Sequence, residues 1–253
     1  MQASSRPAAV ALVTGSGRNI GRAIALRLAA SGVAVAINVR SSRQEGQSVV
    51  DEITAQGGQA LLCVADVTDQ QAVVAMVAKI QQVWGRLDIL VNNAAVRREA
   101  RIENISAQDW HDTLAVVLDG AFFCTQAALA LLRQSERAAV INIGGMTAHT
   151  GAGNRVHVVT AKAGLTGLTR ALAHDLSPDA ITVNCVAPGM IATARNSASA
   201  SAVPAHHATH HPLLGRRGTA QEVAASVAWL AGPDARFITG QTFHVNGGTY
   251  LGG

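Results

Sequence analysis

What most constrains this chain is a rhythm: seven short, almost wholly apolar runs alternate with longer stretches of helical spacing. The runs are Ala8–Val13, Val33–Val39, Ala60–Val64, Ile89–Val91, Ala139–Ile143, Ile181–Val186 and Thr242–Val245. A strand with one wet face alternates apolar and polar residues, whereas a run apolar at nearly every position is covered on both faces. Between the runs lie helix-length segments at about 20–31, 43–57, 69–84, 106–134, 155–176 and 218–230. Such alternation predicts an α/β, doubly wound parallel sheet with right-handed crossovers and helices on both faces. The length, 253 residues, suits one domain with a sizeable core, and no repeat or linker divides it. The rhythm lapses at 194–213, a small, polar, His-rich stretch that reads as a substrate lid on a single domain spanning 1–253.

Composition excludes several classes. At 49% hydrophobic with 6 Pro, the chain is not mainly disordered. No apolar run approaches the roughly 20 residues of a membrane helix, and the N-terminal apolar run enters a glycine turn, unlike a signal peptide. The net charge of +4 is scattered and aromatics make up only 3%, which argues against nucleic acid as a partner. Cys63, Cys124 and Cys185 are odd in number, widely spaced and set in apolar stretches, as buried thiols of a reducing, cytoplasmic compartment would be. His206, His207, His210 and His211 raise a metal option, since His207 and His211 would share a helix face. No Glu stands between them and Pro204 and Pro212 bracket them, so a solvated or substrate-facing loop is preferred and no metal is expected.

The first run enters TGSGRNIG (Thr14–Gly21) and then an apolar helix. Strand, glycine turn and helix N-terminus together present backbone N–H groups to a pyrophosphate. Gly15 and Gly17 allow a tight turn and Gly21 a close helix–strand approach, with Ser16, Arg18, Asn19 and Ile20 completing the cradle. A site for NAD usually ends its second strand with an acidic residue that binds the ribose 2′-OH. Here that place holds Val39, followed by Arg40 and Ser41. With Arg18 nearby, two guanidiniums and a hydroxyl suit a 2′-phosphate, hence NADP(H). The plainer alternative is that both arginines are solvated surface.

The motifs TGSGRNIG, ADV (Ala65–Val67), NNAA (Asn92–Ala95), INI (Ile141–Ile143), AKAG (Ala161–Gly164), NCVAPGMIAT (Asn184–Thr193) and FHVNGG (Phe243–Gly248) occur in this order. In this the chain resembles the classical short-chain dehydrogenase/reductases over nearly its whole length. The resemblance implies a seven-stranded Rossmann-type sheet, adenine contacts near Asp66 and Val67, and further cofactor contacts at Asn93 and Ala94. It also implies ribose binding by Lys162 and a nicotinamide end held by Pro188, Gly189, Ile191 and Thr193. A homo-oligomer, usually a tetramer, and a small-molecule substrate are implied as well.

The same resemblance implies a Tyr four residues before Lys162, a Ser thirteen before the Tyr, and an Asn in the long preceding helix. Those positions hold Val158, Gly145 and Val117, while Asn19 replaces the second glycine of the turn. The single Tyr, Tyr250, cannot be brought beside Lys162 by any slip of register. Val and Gly transfer no protons. His157, Thr147, His149 and Asn154 stand near enough in sequence to be surrogates, though each also reads as a turn or surface residue. Three functions stay open at this level: an oxidoreductase with a non-standard proton source, reducing C=N or activated C=C bonds; a non-catalytic NADP-binding sensor or partner subunit; and a non-redox lyase or hydrolase.

Overall fold

A computed structural model describes residues 7–193 and 211–252. Seven parallel strands form one sheet: β1 (Val10–Val13), β2 (Ala34–Val39), β3 (Ala60–Val64), β4 (Ile89–Asn92), β5 (Ala139–Ile143), β6 (Thr182–Pro188) and β9 (Thr242–Val245). Their order is β3-β2-β1-β4-β5-β6-β9, so the chain winds outward one way from β1 to β3, then crosses to β4 and winds the other way. A two-residue parallel pair, β7 (Ile191–Ala192) with β8 (Gly218–Thr219), stands apart from this sheet and has no signature in the sequence.

Successive residues of a strand point to opposite faces, and the core divides accordingly. Val10 and Leu12 belong to one cluster with Val73, Ile80, Cys124 and Leu132, under helices α3 (Gln70–Trp84) and α5 (Gly120–Leu132). Ala11 and Val13 belong to the other, with Ile24, Leu28, Val49, Val223 and Val227, under α1 (Asn19–Ala30), α2 (Arg43–Ala55) and α8 (Ala220–Leu230). All four β1 residues are therefore buried, as their unbroken apolar run requires.

Local signals set the ends of elements. Asp69 caps α3 by accepting from the Gln71 and Ala72 N–H groups, and Gly85 ends it at φ +68°. Thr219 and Glu222 form a reciprocal capping box at the start of α8. The segment expected as one helix over 106–134 is instead α4 (Ala107–Leu114), one π turn (Ala115–Asp119) and α5. Taken as one stretch, Ala107–Leu132 is long and apolar enough to cross a membrane by length and composition, which corrects the count of apolar runs above. One side of it packs inside the fold, Cys124, Ala128 and Leu131 against the sheet and Val117 and Ala121 against Ala161 and Leu165 of α7 (Val156–Leu176), while Phe122 is exposed. The three cysteines are free and buried. Most of the expected lid, with His206, His207 and His210, lies outside the described residues. His211 is exposed, and no group of three or more metal-ligating side chains occurs among the described residues.

Candidate active site at the carboxyl edge of the sheet

The glycine turn sits where β1 and β4 separate, the point at which doubly wound sheets open a crevice. Gly15 adopts φ +61° and Asn19 φ +52°. Asn is among the few side-chain-bearing residues that tolerate this left-handed conformation, so Asn19 keeps the backbone path of the glycine it replaces. A Cβ on Gly21 would lie 2.5 Å from both the Gly15 carbonyl oxygen and Asn93 Nδ2, so helix α1 closes onto the turn only without a side chain there. A Cβ on Gly189 would lie 2.7 Å from Asn246 Cα, which fixes the close approach of the β6 and β9 ends.

Three polar residues tie this turn together. Thr14 Oγ1 accepts from the Asn93 and Ala94 N–H groups at 2.9 and 3.0 Å, and Asn93 Nδ2 donates to the Thr14 and Gly15 carbonyls at 2.8 and 3.0 Å. Asn38 Oδ1 accepts from the Gly15 N–H at 3.2 Å, while its Nδ2 donates to the Cys63 and Ala65 carbonyls. The Asn93 amide thus braces the glycine turn against the end of β4. Neither Asn38 nor Thr14 stood out in the sequence, because each acts through partners far along the chain.

At the second strand end, Arg18 pairs with Glu45 of α2 at 3.8 Å, both well exposed, a contact of small energetic weight. Arg40 and Ser41 are exposed just past β2. Asp66 Oδ1 accepts from the Thr68 N–H and hydroxyl beyond β3, and the buried Val67 side chain lies against Gly120.

Lys162 is buried on α7, and its ammonium donates to the Ile143 carbonyl at the end of β5. Burial is the main cause that pushes it down to about 8; the Cys185 thiol opposes this, and the Arg97 and Arg155 guanidiniums add to it. One turn earlier is the buried Val158. Beside Lys162, a Cβ placed on Gly145 would find no atom nearer than the lysine Cγ at 4.0 Å, so the space is open. Val117 lies in the π turn within the apolar cluster of Ala161 and Leu165, away from polar partners.

The proposed surrogates sit in different surroundings. His157 is 1% exposed. Burial lowers its pKa, Asp109 of α4 opposes this, and Arg155 and Arg98 add to it. Thr147 is buried in the short helix α6 (Thr147–Thr150). His149 packs edge-on against His244 with centroids 4.6 Å apart and stacks on Tyr250 at 5.5 Å. Asn154 takes φ +60° in the turn before α7.

These imidazoles carry a stability consequence. Burial, and then Arg170 for His149 and His149 for His244, lowers both pKa values from the usual 6.5. Buried ring nitrogens of His149, His157 and His244 have no hydrogen-bond partner among the described residues. The unfolded chain binds more protons than the folded one just below the usual value. Stability is therefore complete above about pH 6.5 and lost as pH falls through the depressed folded values. Melting temperature should drop between pH 7.5 and 5.5, and a pH-independent melt would refute this.

Known proteins agree with this architecture. The family described as Enoyl-(Acyl carrier protein) reductase matches residues 15–250. The chain is 39% identical over 241 residues, 95% of its length and 98% of the relative's, to the 3-oxoacyl-[acyl-carrier-protein] reductase FabG of Staphylococcus aureus. A solved dehydrogenase/reductase from Sinorhizobium meliloti 1021 superposes with a TM-score of 0.90 at 35% identity, covering 97% of this chain and 96% of its own. A short chain dehydrogenase from Burkholderia cenocepacia J2315 in complex with NADP gives 0.89 at 36% identity, covering 96% and 98%. The chain belongs to the short-chain dehydrogenase/reductase family. Within this short-chain dehydrogenase/reductase, the glycine turn, the braced Asn93 loop and the buried Lys162 all lie along the carboxyl edge of one sheet. That edge is where open α/β sheets bind ligands.

Proposed function

We propose that the protein is an NADP(H)-dependent oxidoreductase of one dinucleotide-binding domain, lacking the Ser, Tyr and Asn of its relatives and favouring C=N or activated C=C bonds over simple ketones. The observation that carries this reading is Lys162, buried at the cleft with open space at Gly145 and an apolar Val158 one turn before it. The cradle fits the cofactor, since Gly21 and Gly189 stand where a Cβ would collide and Gly15 takes a left-handed turn. NADPH, when bound, supplies a hydride.

The protein's own part is binding and orientation. Backbone groups from Gly17 to Gly21, with Asn19 and Ile20, would face the pyrophosphate, and Arg18, Arg40 and Ser41 the 2′-phosphate; Ser16, expected in the cradle, is buried, with its N–H and hydroxyl donating to the Asn38 and Val13 carbonyls. Asp66 and Val67 would flank the adenine, Asn93 and Ala94 the adjoining ribose, Lys162 the nicotinamide ribose, and Pro188, Gly189, Ile191 and Thr193 the nicotinamide. A substrate that carries its own proton needs no phenol at position 158. The three buried thiols fit a reducing compartment, and 194–213 is read as the lid.

Absorbance at 340 nm across ketone, imine and enone panels tests the reading, alongside NADPH titration. Tight binding without turnover of any class would favour a non-catalytic NADP-binding protein instead. Arg40→Ala removes one charge-assisted contact, typically worth about 1.5–3 kcal/mol, and should weaken NADPH binding by about one to two decades. NADH binding should be nearly unchanged, and equal affinities for both cofactors in the natural protein would refute the 2′-phosphate site. We also propose a homotetramer, supported by the Ala-, Gly- and Leu-rich faces of α7. Light scattering at micromolar concentration should give four times the chain mass, and a monomer would contradict it.

A further inference from the structure

Gly17, in the middle of the glycine turn, has close neighbours from two elements. A Cβ there would lie 2.9 Å from Val39 Cγ1, 3.3 Å from Glu45 Cβ and 3.6 Å from Glu45 Oε2. The end of β2 and the first turn of α2 therefore close together onto the turn. Gly46 permits this approach, since a Cβ on it would lie 2.5 Å from Leu62 Cδ1 and 3.1 Å from Val39 Cγ1. The Glu45 carboxylate is thereby brought beside the strand end at which Val39 offers no acid.

Glu45 does not serve its own helix. Ser42 and Glu45 have the S-x-x-E spacing of a capping box, yet Ser42 makes no side-chain cap. The carboxylate pairs instead with Arg18, the N-cap residue of α1, at 3.8 Å. The two side chains are 55% and 42% exposed, so the pair weighs little in stability and is open to exchange with a ligand. Glu52, seven residues further along α2, pairs with Arg22 of α1.

This placement bears on how the adenosine ribose of the cofactor is read. A 2′-phosphate that meets Arg18 must displace the Glu45 carboxylate or lie against it, and like charges at that range repel. A 2′-hydroxyl gains from the same group, because it donates to a carboxylate as it does to the strand-end acid of an NAD site. We propose that Glu45 is a specificity-determining residue of the cofactor site, competing with the 2′-phosphate for Arg18 and accepting from the 2′-hydroxyl of NAD(H). The protein then prefers NADP(H) but retains affinity for NAD(H), and this one carboxylate narrows the ratio between them.

The inference rests on the NADP(H) reading, so binding of NADP+ to the natural protein is measured first. That protein, Glu45→Gln and Glu52→Gln are each titrated calorimetrically with NADP+ and with NAD+. Glu45→Gln keeps the size of the side chain and removes its charge, at a position exposed enough to leave the fold unchanged. It should bind NADP+ about fivefold tighter, as the loss of an exposed charge contact allows. It should bind NAD+ about threefold weaker, because a charge-assisted hydrogen bond becomes a neutral one. Glu52→Gln removes the same charge from the same helix and should alter neither affinity. The opposite signs separate selection from folding, since a merely structural disturbance moves both affinities in one direction. An unmoved affinity for either cofactor in Glu45→Gln, or shifts of both in one direction, overturns the role of Glu45 and leaves the NADP(H) reading intact. Failure of the natural protein to bind NADP+ overturns both.

Discussion

Unactivated ketones should be reduced extremely slowly by this protein, and Gly145→Ser combined with Val158→Tyr should raise that rate at least about a hundredfold. Carbonyl reduction needs a proton delivered to the developing alkoxide and a donor holding its oxygen. General acid catalysis typically contributes about 10²–10⁴-fold, and an oxyanion donor about 10²–10³-fold. Val158 and Gly145 supply neither. The structure favours the rescue: a serine Cβ at 145 meets nothing nearer than Lys162 Cγ at 4.0 Å, so its hydroxyl has room. A tyrosine at 158 would lie one turn before Lys162, whose ammonium would lower the phenol pKa. NADPH oxidation followed at 340 nm with a simple ketone series decides the matter. Brisk turnover by the natural sequence would refute it, and alanine changes at Thr147, His149 and His157 would then find the donor. The structure already makes two of these unpromising, since His149 is packed against both His244 and Tyr250, and His157 is 1% exposed.

Whatever is written in local period was legible before any coordinates. The seven strands occur where the apolar runs are, four of them shifted at a boundary by only one or two residues, because continuous burial leaves an unbroken apolar signature. The glycine turn was readable for a related reason: Gly15 and Gly21 meet steric demands that no other residue meets. What escaped the sequence depends on partners far apart in the chain. Asn38 acts through Gly15, Cys63 and Ala65, and the His149–His244–Tyr250 stack joins residues nearly a hundred positions apart. The π turn at Ala115–Asp119 escaped because its residues have ordinary helical character, and only packing against α7 shows where the register changes.

Gly21→Ala should strip the protein of most of its NADPH affinity while only moderately lowering its stability. The added methyl would sit 2.5 Å from the Gly15 carbonyl oxygen, 2.5 Å from Asn93 Nδ2 and 2.9 Å from Ser16 Cα. Two of these are backbone atoms of the turn itself, so the clash cannot be relieved by rotating a side chain. Asn93 is equally constrained, because its amide already donates to the Thr14 and Gly15 carbonyls. Helix α1 must retreat or the turn must deform, and either movement displaces the N–H groups proposed to meet the pyrophosphate. Overpacking of this kind costs about 1–3 kcal/mol, which in a chain of this size lowers Tm by about 2–4 °C for each kcal/mol. The loss in binding should be larger, at least a hundredfold, since an oriented set of donors is lost together with the close approach of the helix N-terminus. Gly153→Ala is the matched control: a Cβ there meets nothing within 4 Å, so affinity and melting temperature should stay where they are. Fluorescence titration with NADPH and thermal melts of both variants read the two effects separately. A Gly21→Ala protein that binds NADPH as tightly as the natural sequence would show that this turn does not hold the pyrophosphate.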